Sequence, residues 1–116
     1  MRLRFREARS GDVPAILKLL ADDVLGATRQ VQDLDDYRAA FDRMQAEGGN
    51  HLIVGEAPDG AIVATYQITF ISGLSLRAAR RAQIESVRVA SALRGQGLGA
   101  QMFADAEARA DRRDAP

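Results

Sequence analysis

The sequence predicts an α/β protein of the α+β type, with a mixed, mostly antiparallel sheet flanked by helices. Apolar and polar residues alternate in several short segments, as they do in half-buried strands. Two other segments repeat their apolar residues every three or four positions, as amphipathic helices do. A strand-like segment then passes through a glycine-rich turn into a third helix, which completes the order β-α-α-β-β-β-α.

The composition is that of an ordinary globular domain and argues against several classes of function. The 116 residues suffice for one domain, and 47% hydrophobic with 28% charged residues is typical of a folded chain. Sixteen basic residues balance sixteen acidic ones, which argues against a nucleic-acid-binding surface. With no cysteine and a single histidine, His51, the sequence predicts no metal site. It contains neither a signal-peptide core nor an apolar run long enough for a membrane span, so we expect a cytoplasmic location.

The first part of the chain predicts one strand and two helices. Residues 3–6 alternate apolar and basic side chains, as in a strand with one solvated face. Ser10 or Asp12 can cap a first helix and Asp33 a second, while the segment Gly26 to Gln32 interrupts the periodicity between them. The two apolar stripes are Val13, Ile16, Leu17, Leu20 and Val24, and then Leu34, Tyr37, Phe41 and Met44, before Gly48 and Gly49.

The clearest local signal is a β-hairpin. His51 to Gly55 form one strand, Ala57 to Gly60 supply Pro-Asp-Gly turn residues, and Ile62 to Ile71 form the return strand. We expect one face of the return strand to join the core and the other, more polar face to line a site. The predicted core face holds Ile62, Ala64, Tyr66, Ile68 and Phe70, and the predicted site face holds Val63, Thr65, Gln67, Thr69 and Ile71.

The segment from Ile84 to Ala100 predicts a strand, an anion-binding loop and the start of a helix. β-branched residues open it, and three glycines follow Arg94, where a missing Cβ lets backbone amides approach a ligand closely. The helix that begins near Leu98 adds unpaired amides and the positive end of its dipole. These features predict a pocket for a phosphate or pyrophosphate. The apolar face of the helix is predicted to hold Leu98, Met102, Phe103 and Ala106.

Three phosphate-binding patterns resemble this loop to different degrees. A P-loop needs Gly-Lys-Ser/Thr, but the only lysine is Lys18, so that pattern is excluded. The glycines and Ala100 fit the dinucleotide pattern G-x-G-x-x-A, but the sequence has no later strand ending in the acidic residue that this pattern requires. The third pattern, Arg/Gln-x-x-Gly-x-Gly/Ala, is filled by Arg94, Gly97 and Gly99. A glycine-rich turn without a ligand is the structural alternative.

Arg94, Gly97 and Gly99, between a Val-Arg-Val strand and an amphipathic helix, resemble the coenzyme A pyrophosphate loop of the GNAT superfamily of acyl-CoA-dependent N-acyltransferases. The resemblance extends from Leu3 to about Arg109. It implies acetyl-CoA as the acyl donor, an amine as the acceptor and direct transfer through a tetrahedral intermediate. The residues that would hold the coenzyme, largely by their backbone, are Val87, Arg88, Val89, Arg94, Gly95, Gln96, Gly97, Leu98, Gly99 and Ala100.

The same resemblance calls for a general base, and the candidate is Glu85. It lies on the strand that leads to the loop and, with a period of two, is expected to share a face with Val87 and Val89. Partial burial of the carboxylate there would make it a stronger base. Equally open is a structural role, in which Glu85 pairs on the surface with an arginine of the loop Ser72 to Arg81. The arginines in question are Arg77, Arg80 and Arg81.

The family resemblance also implies elements that the 116 residues do not contain. The domain would continue with another strand across the cleft, a helix that often carries a tyrosine acting as the acid for the leaving thiolate, and two last strands. The single domain 1–116 is therefore expected to be truncated after the coenzyme-binding helix. The strand Ile84–Val89 would then be a sheet edge beside an uncovered apolar helix face that includes Met102 and Phe103. We expect a homodimer, or a second chain, to cover both.

Two functions follow from these expectations. The first is an N-acetyltransferase that acts on a primary amine of a small molecule or a protein. The alternative is a non-catalytic remnant that binds coenzyme A or associates with itself.

Overall fold

A four-stranded antiparallel sheet forms the centre of the protein in a computed structural model that describes residues 1–21, 34–78 and 80–114. The strands lie side by side in their order along the chain, and β4 is an edge strand of the described sheet. Their bounds are β1 (Arg4–Glu7), β2 (Asn50–Glu56), β3 (Ile62–Ile71) and β4 (Arg81–Val89). The fold class predicted from the sequence is confirmed.

Within the described ranges, four helices accompany the sheet: α1 (Val13–Ala21), α2 (Leu34–Glu47), α3 (Ser75–Ala78) and α4 (Leu98–Asp114). Short 3₁₀ turns at Ser10–Asp12 and Ser91–Leu93 precede α1 and α4. The predicted order of the major elements is correct, while α3 is a single turn inside the segment predicted as a loop. The predictions for Val24, for the break at Gly26 to Gln32 and for Asp33 as a cap lie outside the described residues.

The helix α4 packs on one face of the sheet and forms the larger core cluster. Its buried face packs against side chains from β1, β2 and β3, and β4 contributes half-buried residues. Phe103 does not belong to this face, because it is rotated by about 100° from Met102 on the helix and is 58% exposed. Met102 is buried, so the expectation that it would be uncovered is wrong. The buried members are Leu3, Ile53, Ala64, Tyr66, Ile68, Leu98, Met102 and Ala106.

The helices α1 and α2 pack on the opposite face and form a second cluster. Leu19 is buried as well, although it was not part of the predicted stripe, whereas Leu17 and Leu20 are half-buried at the margin of the cluster. The stripe on α2 is centred on Phe41, its one fully buried residue. The buried members of this cluster are Ala8, Val13, Ile16, Phe41 and Val54.

The hairpin contains a β-bulge that changes the predicted faces of β3. Gly55 pairs with Ala64 and Glu56 with Ile62, so Val63 is an extra residue in the ladder. As a result, Ile62 packs with the α1/α2 cluster and Val63 with the α4 cluster, the reverse of the expectation from strict alternation. From Ala64 to Ile68 the expected alternation holds, and Tyr66 is a core residue as predicted.

An ionic cluster joins β1 to the start of α1 and to the end of β2. The Arg6 guanidinium donates to both oxygens of Asp12, at 2.7 and 3.0 Å, and also binds the carboxylate of Glu56. Asp12 additionally accepts a hydrogen bond from the backbone N–H of Arg9 at 2.7 Å. The hydrogen bonds from Arg6 hold the pKa of Asp12 below its ordinary value. The helix start is therefore organised by Asp12, one of the two residues predicted to cap it.

Candidate functional site

The loop between β4 and α4 lies on the surface between two apolar anchors. The N–H of Ala90 donates to the carbonyl of Val63 at 2.8 Å and fixes the end of β4 against β3. Leu93 is half-buried against the α4 cluster, and Leu98 is buried at the helix start. The intervening residues 94–97 are all exposed. The loop is thus held at both ends by burial, while its own backbone faces solvent.

Glycine is required at two positions of this loop by backbone conformation. Gly95 and Gly97 have φ values of +83° and +78°, a region that side chains with a Cβ occupy only with strain. A Cβ added at either residue, or at Gly99, would meet no protein atom within 4 Å. The space above this stretch of backbone is therefore open. Because glycine has no side chain, a ligand can approach the backbone at these positions more closely than it could if any other residue stood there.

The start of α4 directs backbone donors toward the same space. The N–H of Gln101 donates to the carbonyl of Gly97 at 3.4 Å, the first hydrogen bond of the helix. The amides of Leu98, Gly99 and Ala100 therefore lie in the first turn, where N–H groups have no partner within the helix. Arg94, at the start of the loop, is an exposed residue. Amide donors, the helix dipole and one arginine together suit an anion such as a pyrophosphate. The loop and the start of α4 are therefore suited to the pyrophosphate of the coenzyme that the loop motif implies.

A second β-bulge interrupts β4 just before the loop. Thr65 pairs with Arg88 and Gln67 with Glu85, so two residues of β4 oppose the single residue Tyr66. Ser86, one of the two, has a φ of +55°. This conformation is uncommon for serine and costs about 1–2 kcal/mol. The bulge bends the edge strand and changes the side on which every later residue of β4 lies.

The bulge separates the predicted base from the strand residues that follow it. Glu85 lies opposite Gln67, on the face of the sheet that α1 and α2 cover, and is exposed. Val87 lines a narrow cleft with Met102 and Phe103 on the α4 face. Val89 also packs with the α4 cluster. The expectation that Glu85 shares a face with Val87 and Val89 is therefore wrong.

Neither environment proposed for Glu85 is present among the described residues. Its contact is a 3.5 Å hydrogen bond from the side-chain amide of Gln83. It forms no ion pair with Arg77, Arg80 or Arg81 in the described parts of the chain, and its exposure removes the expected burial. Glu85 is accessible to solvent and to ligands on the side of the sheet where Gln67 lies.

A mostly apolar cavity of about 140 Å³ opens on that same side. Its walls come from the stripes of α1 and α2, and its sheet side includes Thr65, Gln67 and Ser86. The amide of Gln67 is held by the Oδ1 atom of Asn50 at 2.8 Å, so its orientation is fixed. The prediction that this face of β3 lines a pocket agrees with the geometry.

On the opposite face, a polar chain locks α4 onto the sheet. The Tyr66 hydroxyl donates to Asp105 at 2.5 Å, and the Nε of Arg109 donates to the same carboxylate oxygen at 2.7 Å. Burial and the neighbouring carboxylate raise the pKa of Tyr66 above its ordinary value. Tyr66 therefore stays protonated and acts as a donor. Because α4 carries the loop at its N-terminus, this network also helps to position the loop.

Comparison with known proteins places this geometry in a family. The sequence model described as the acetyltransferase (GNAT) family matches residues 14–115. The chain belongs to the GNAT acetyltransferase family. Its membership indicates acyl transfer from acetyl-CoA as the general activity. A search of curated proteins gave no match.

Solved structures with the GNAT fold superpose on nearly the whole chain. A transcriptional regulator from Bacillus halodurans C-125 is 38% identical with a TM-score of 0.87, over 97% of this chain and 76% of that one. A candidate acetyltransferase from Agrobacterium tumefaciens str. C58 is 30% identical with a TM-score of 0.81, over 92% of this chain and 72% of that one. A predicted acetyltransferase from Clostridium acetobutylicum, solved with acetyl-CoA, is 17% identical with a TM-score of 0.72, over 99% and 77% of the two chains, and supports the fold alone.

The sequence motif predicted the glycine-rich turn before α4 but missed two features of this region. The bulge at Ser86 had no signal, because a serine between a glutamate and a valine is compatible with regular strand pairing. The Tyr66–Asp105–Arg109 chain could have been suspected, because Asp105 and Arg109 are four residues apart on one helix. Within the described residues no group of three or more potential metal ligands occurs, and none of the described helices is long and apolar enough to cross a membrane.

Proposed function

We propose that the chain is an N-acetyltransferase that transfers an acetyl group from acetyl-CoA to a primary amine of a small molecule or a protein. The proposal rests on the loop before α4. Gly95 and Gly97 have positive φ values there, and a Cβ added at either residue would meet no protein atom within 4 Å. The pyrophosphate is assigned to the backbone of Arg94 to Ala100. The pantetheine arm is assigned to the edge of β4 at Val87, Arg88 and Val89, where an extended ligand can pair with the strand.

The proposed reaction joins the amine nitrogen to the thioester carbonyl carbon and then breaks the carbon–sulfur bond. Backbone amides of β4 would stabilise the negative charge on the carbonyl oxygen of the tetrahedral intermediate. Glu85 is assigned the role of general base, taking the proton of the attacking amine directly or through water. Its exposure on the Gln67 side makes it accessible to an acceptor. The proton on the thiol product would come from solvent.

The acceptor is assigned to the side of the sheet where Glu85 lies. The cavity between α1, α2 and β3 is mostly apolar and has Gln67 and Ser86 at its sheet side. An acceptor with an apolar body could place that body in the cavity and its amine near Glu85. Such an arrangement favours amines with a hydrocarbon chain or ring over strongly polar ones.

The decisive experiment measures binding and turnover separately on the same preparation. Calorimetry with coenzyme A tests the loop, and release of free thiol from acetyl-CoA in the presence of an amine panel tests catalysis. The expected result is saturable binding together with amine-dependent thiol release. A folded chain that shows neither would refute the proposal.

A second candidate function is coenzyme A binding without turnover. It is favoured by the position of Glu85, whose side chain has a single hydrogen bond, from Gln83, among the described residues and lies on the face of β4 opposite to Val87. This candidate predicts binding of coenzyme A with no amine in the panel increasing thiol release. It also predicts that Glu85→Gln leaves all measured properties unchanged.

Self-association is part of the proposal, because β4 is an edge of the described sheet. Val87 is 38% exposed and Phe103 58% exposed, and both border the cleft between β4 and α4. An edge strand beside apolar side chains is a natural site for pairing with another polypeptide. We assign the part of this surface that the pantetheine arm leaves open to a homodimer or to a second chain. A cytoplasmic location stays a prediction.

A further inference from the structure

A second cavity, of about 260 Å³, lies at the end of the sheet remote from the GNAT loop. It is bounded by the last residue of β1, the first half of β2, the second half of β3 and the C-terminal half of α4. Seven residues line it: Glu7, His51, Ile53, Ile68, Phe70, Arg109 and Arg112. The proposed acetyl transfer uses none of these residues.

The cavity is separate from both proposed halves of the acetyltransferase site. Arg112 follows Leu98 by fourteen residues on α4, which corresponds to about 21 Å along a helix. Ile53 and Ile68 belong to the α4 face of the sheet, whereas Glu85 lies on the α1/α2 face. A molecule in this cavity therefore contacts neither the loop nor the proposed base.

Opposite charges lie on opposite sides of the cavity. On the sheet side, the carboxylate of Glu7 binds the Nδ1 atom of His51 at 2.5 Å and is itself largely exposed, with 59% of its side chain accessible. On the helix side, two arginines, Arg109 and Arg112, line the cavity. Asp105 engages the Nε–H of Arg109, one of the five donors that a guanidinium carries. Both sides can therefore bind a further charged group.

The floor between these charges is apolar and buried. Ile53 and Ile68 are fully buried core residues. The ring of Phe70 packs against His51 at a centroid distance of 5.6 Å in an edge-on arrangement. The volume of 260 Å³ is slightly below the range of about 300–1,000 Å³ typical of drug-sized ligands. The cavity is suited to a small molecule with a short hydrocarbon body.

We infer that this cavity binds a small zwitterion with an apolar body, the chemistry of an aliphatic α-amino acid. The ammonium group would bind Glu7 and the carboxylate would bind Arg109 and Arg112, where paired N–H donors match carboxylate geometry. The hydrocarbon side chain would lie on Ile53 and Ile68. The inference concerns an accessory site and does not depend on acetyl transfer.

The test uses L-leucine as the probe, with two analogues that each lack one charge. 4-Methylpentanoate lacks the ammonium group, and 3-methylbutylamine lacks the carboxylate. Binding is followed by ¹⁵N-resolved NMR of the 116-residue chain. We expect saturable shifts centred on His51, Phe70 and Arg112 with L-leucine. Each analogue should bind at least about tenfold more weakly, because a lost hydrogen bond to a charged group has an effect of that size.

Single-charge variants provide the second part of the test. Arg112→Gln and Glu7→Gln should each weaken L-leucine binding about tenfold. The control Arg43→Gln removes an exposed arginine on α2 and should leave the affinity unchanged. Overlapping amide spectra establish that each variant is folded. Shifts that do not saturate, equal binding of L-leucine and 4-methylpentanoate, or unchanged affinity in Arg112→Gln would each overturn the inference. Coenzyme A affinity, measured in parallel, reports on the acetyltransferase proposal alone.

Discussion

Glu85 and Val87 lie on opposite faces of β4, although only Ser86 separates them along the chain. The cause is the bulge, which gives Ser86 a φ of +55° and sets two residues of β4 against Tyr66. The carboxylate of Glu85 lies on one face of the sheet, while the backbone of β4 is accessible along the sheet edge, so the proposed acceptor and donor can approach β4 from different sides. This arrangement leads to the first prediction.

Replacement of the carboxylate should abolish base catalysis without disturbing the fold. If the chain is active, Glu85→Gln should lower kcat/KM by about 10²–10⁴, the usual contribution of a general base. The control is Glu107→Gln, which removes an exposed carboxylate from α4. Activity of Glu85→Gln within a factor of two of the unmodified chain would return Glu85 to a surface role.

Gly97 can be tested against a control glycine outside the loop, Gly60, at which a substitution causes similar backbone strain. Gly97 and Gly60 have φ values of +78° and +90°, and a Cβ at either meets no protein atom within 4 Å. Gly97→Val and Gly60→Val should therefore destabilise the fold to a similar extent. Only the first should weaken coenzyme A binding, because Gly60 lies in the hairpin turn. Calorimetry on the two folded variants makes the comparison.

A substitution at Gly99 tests the effect of added volume without adding backbone strain. Gly99 has no positive φ, and an added Cβ meets no protein atom within 4 Å. Gly99→Ala should leave the melting temperature unchanged or slightly raised, since alanine favours a helix by about 1 kcal/mol over glycine. It should nevertheless weaken coenzyme A binding if the pyrophosphate lies over the loop. Unchanged affinity in this variant would remove the pyrophosphate from that position.

Most of the fold was predictable from the sequence because its elements have strong local patterns. The stripes on α1 and α2, the Pro-Asp-Gly turn and the glycine loop each depend on chemistry within a few residues. The two bulges were not predictable, because Val63 and Ser86 are both compatible with regular strands. A bulge depends on how a strand pairs with its neighbour, and the alternation of apolar and polar residues along one strand does not reveal that pairing.

The same limit explains which parts of the site were misassigned. The glycines before α4 were recognisable from the sequence, and Gly95 and Gly97 do have positive φ values, a conformation that glycine adopts without strain. The face on which Glu85 lies depends on the bulge and was therefore assigned wrongly. Phe103 follows Met102 directly on the helix, yet Met102 is buried and Phe103 is exposed. The apolar stripe in the sequence was too short to show which of the two neighbours faces the core.

The tyrosine beneath α4 should make stability fall at high pH. The pKa of Tyr66 is raised by burial and by Asp105, so the folded chain keeps a proton that the unfolded chain releases near the ordinary value of about 10. The stabilisation is present below pH 10 or so and is lost as the pH rises further. Tyr66→Phe should lose about 1.5–3 kcal/mol at pH 8, the range for a hydrogen bond to a charged group, and should show a weaker decline above pH 10. Melting curves at pH 8 and 11 test both effects.

The cluster at the start of α1 should give the opposite dependence. Arg6 holds the pKa of Asp12 below its ordinary value, so this pair contributes stability above about pH 4 that is lost as the pH falls. Asp12→Asn should cost about 1.5–3 kcal/mol at pH 7, the range for a hydrogen bond to a charged group. The difference from the unmodified chain should shrink towards pH 3. Asp42→Asn, at an exposed position of α2, should have no such effect.

The surface beside β4 should drive self-association. Val87 and Phe103 are both exposed next to an edge strand, and burial of apolar surface contributes about 25 cal/mol per Å². We expect light scattering at low micromolar concentration to report a dimer or larger species. Phe103→Glu places a charge on the apolar surface and should shift the chain towards monomer. Ala104→Glu adds the same charge at the next exposed position of α4 and should change the mass less. A cooperative monomer at every concentration would mean that this edge needs no partner.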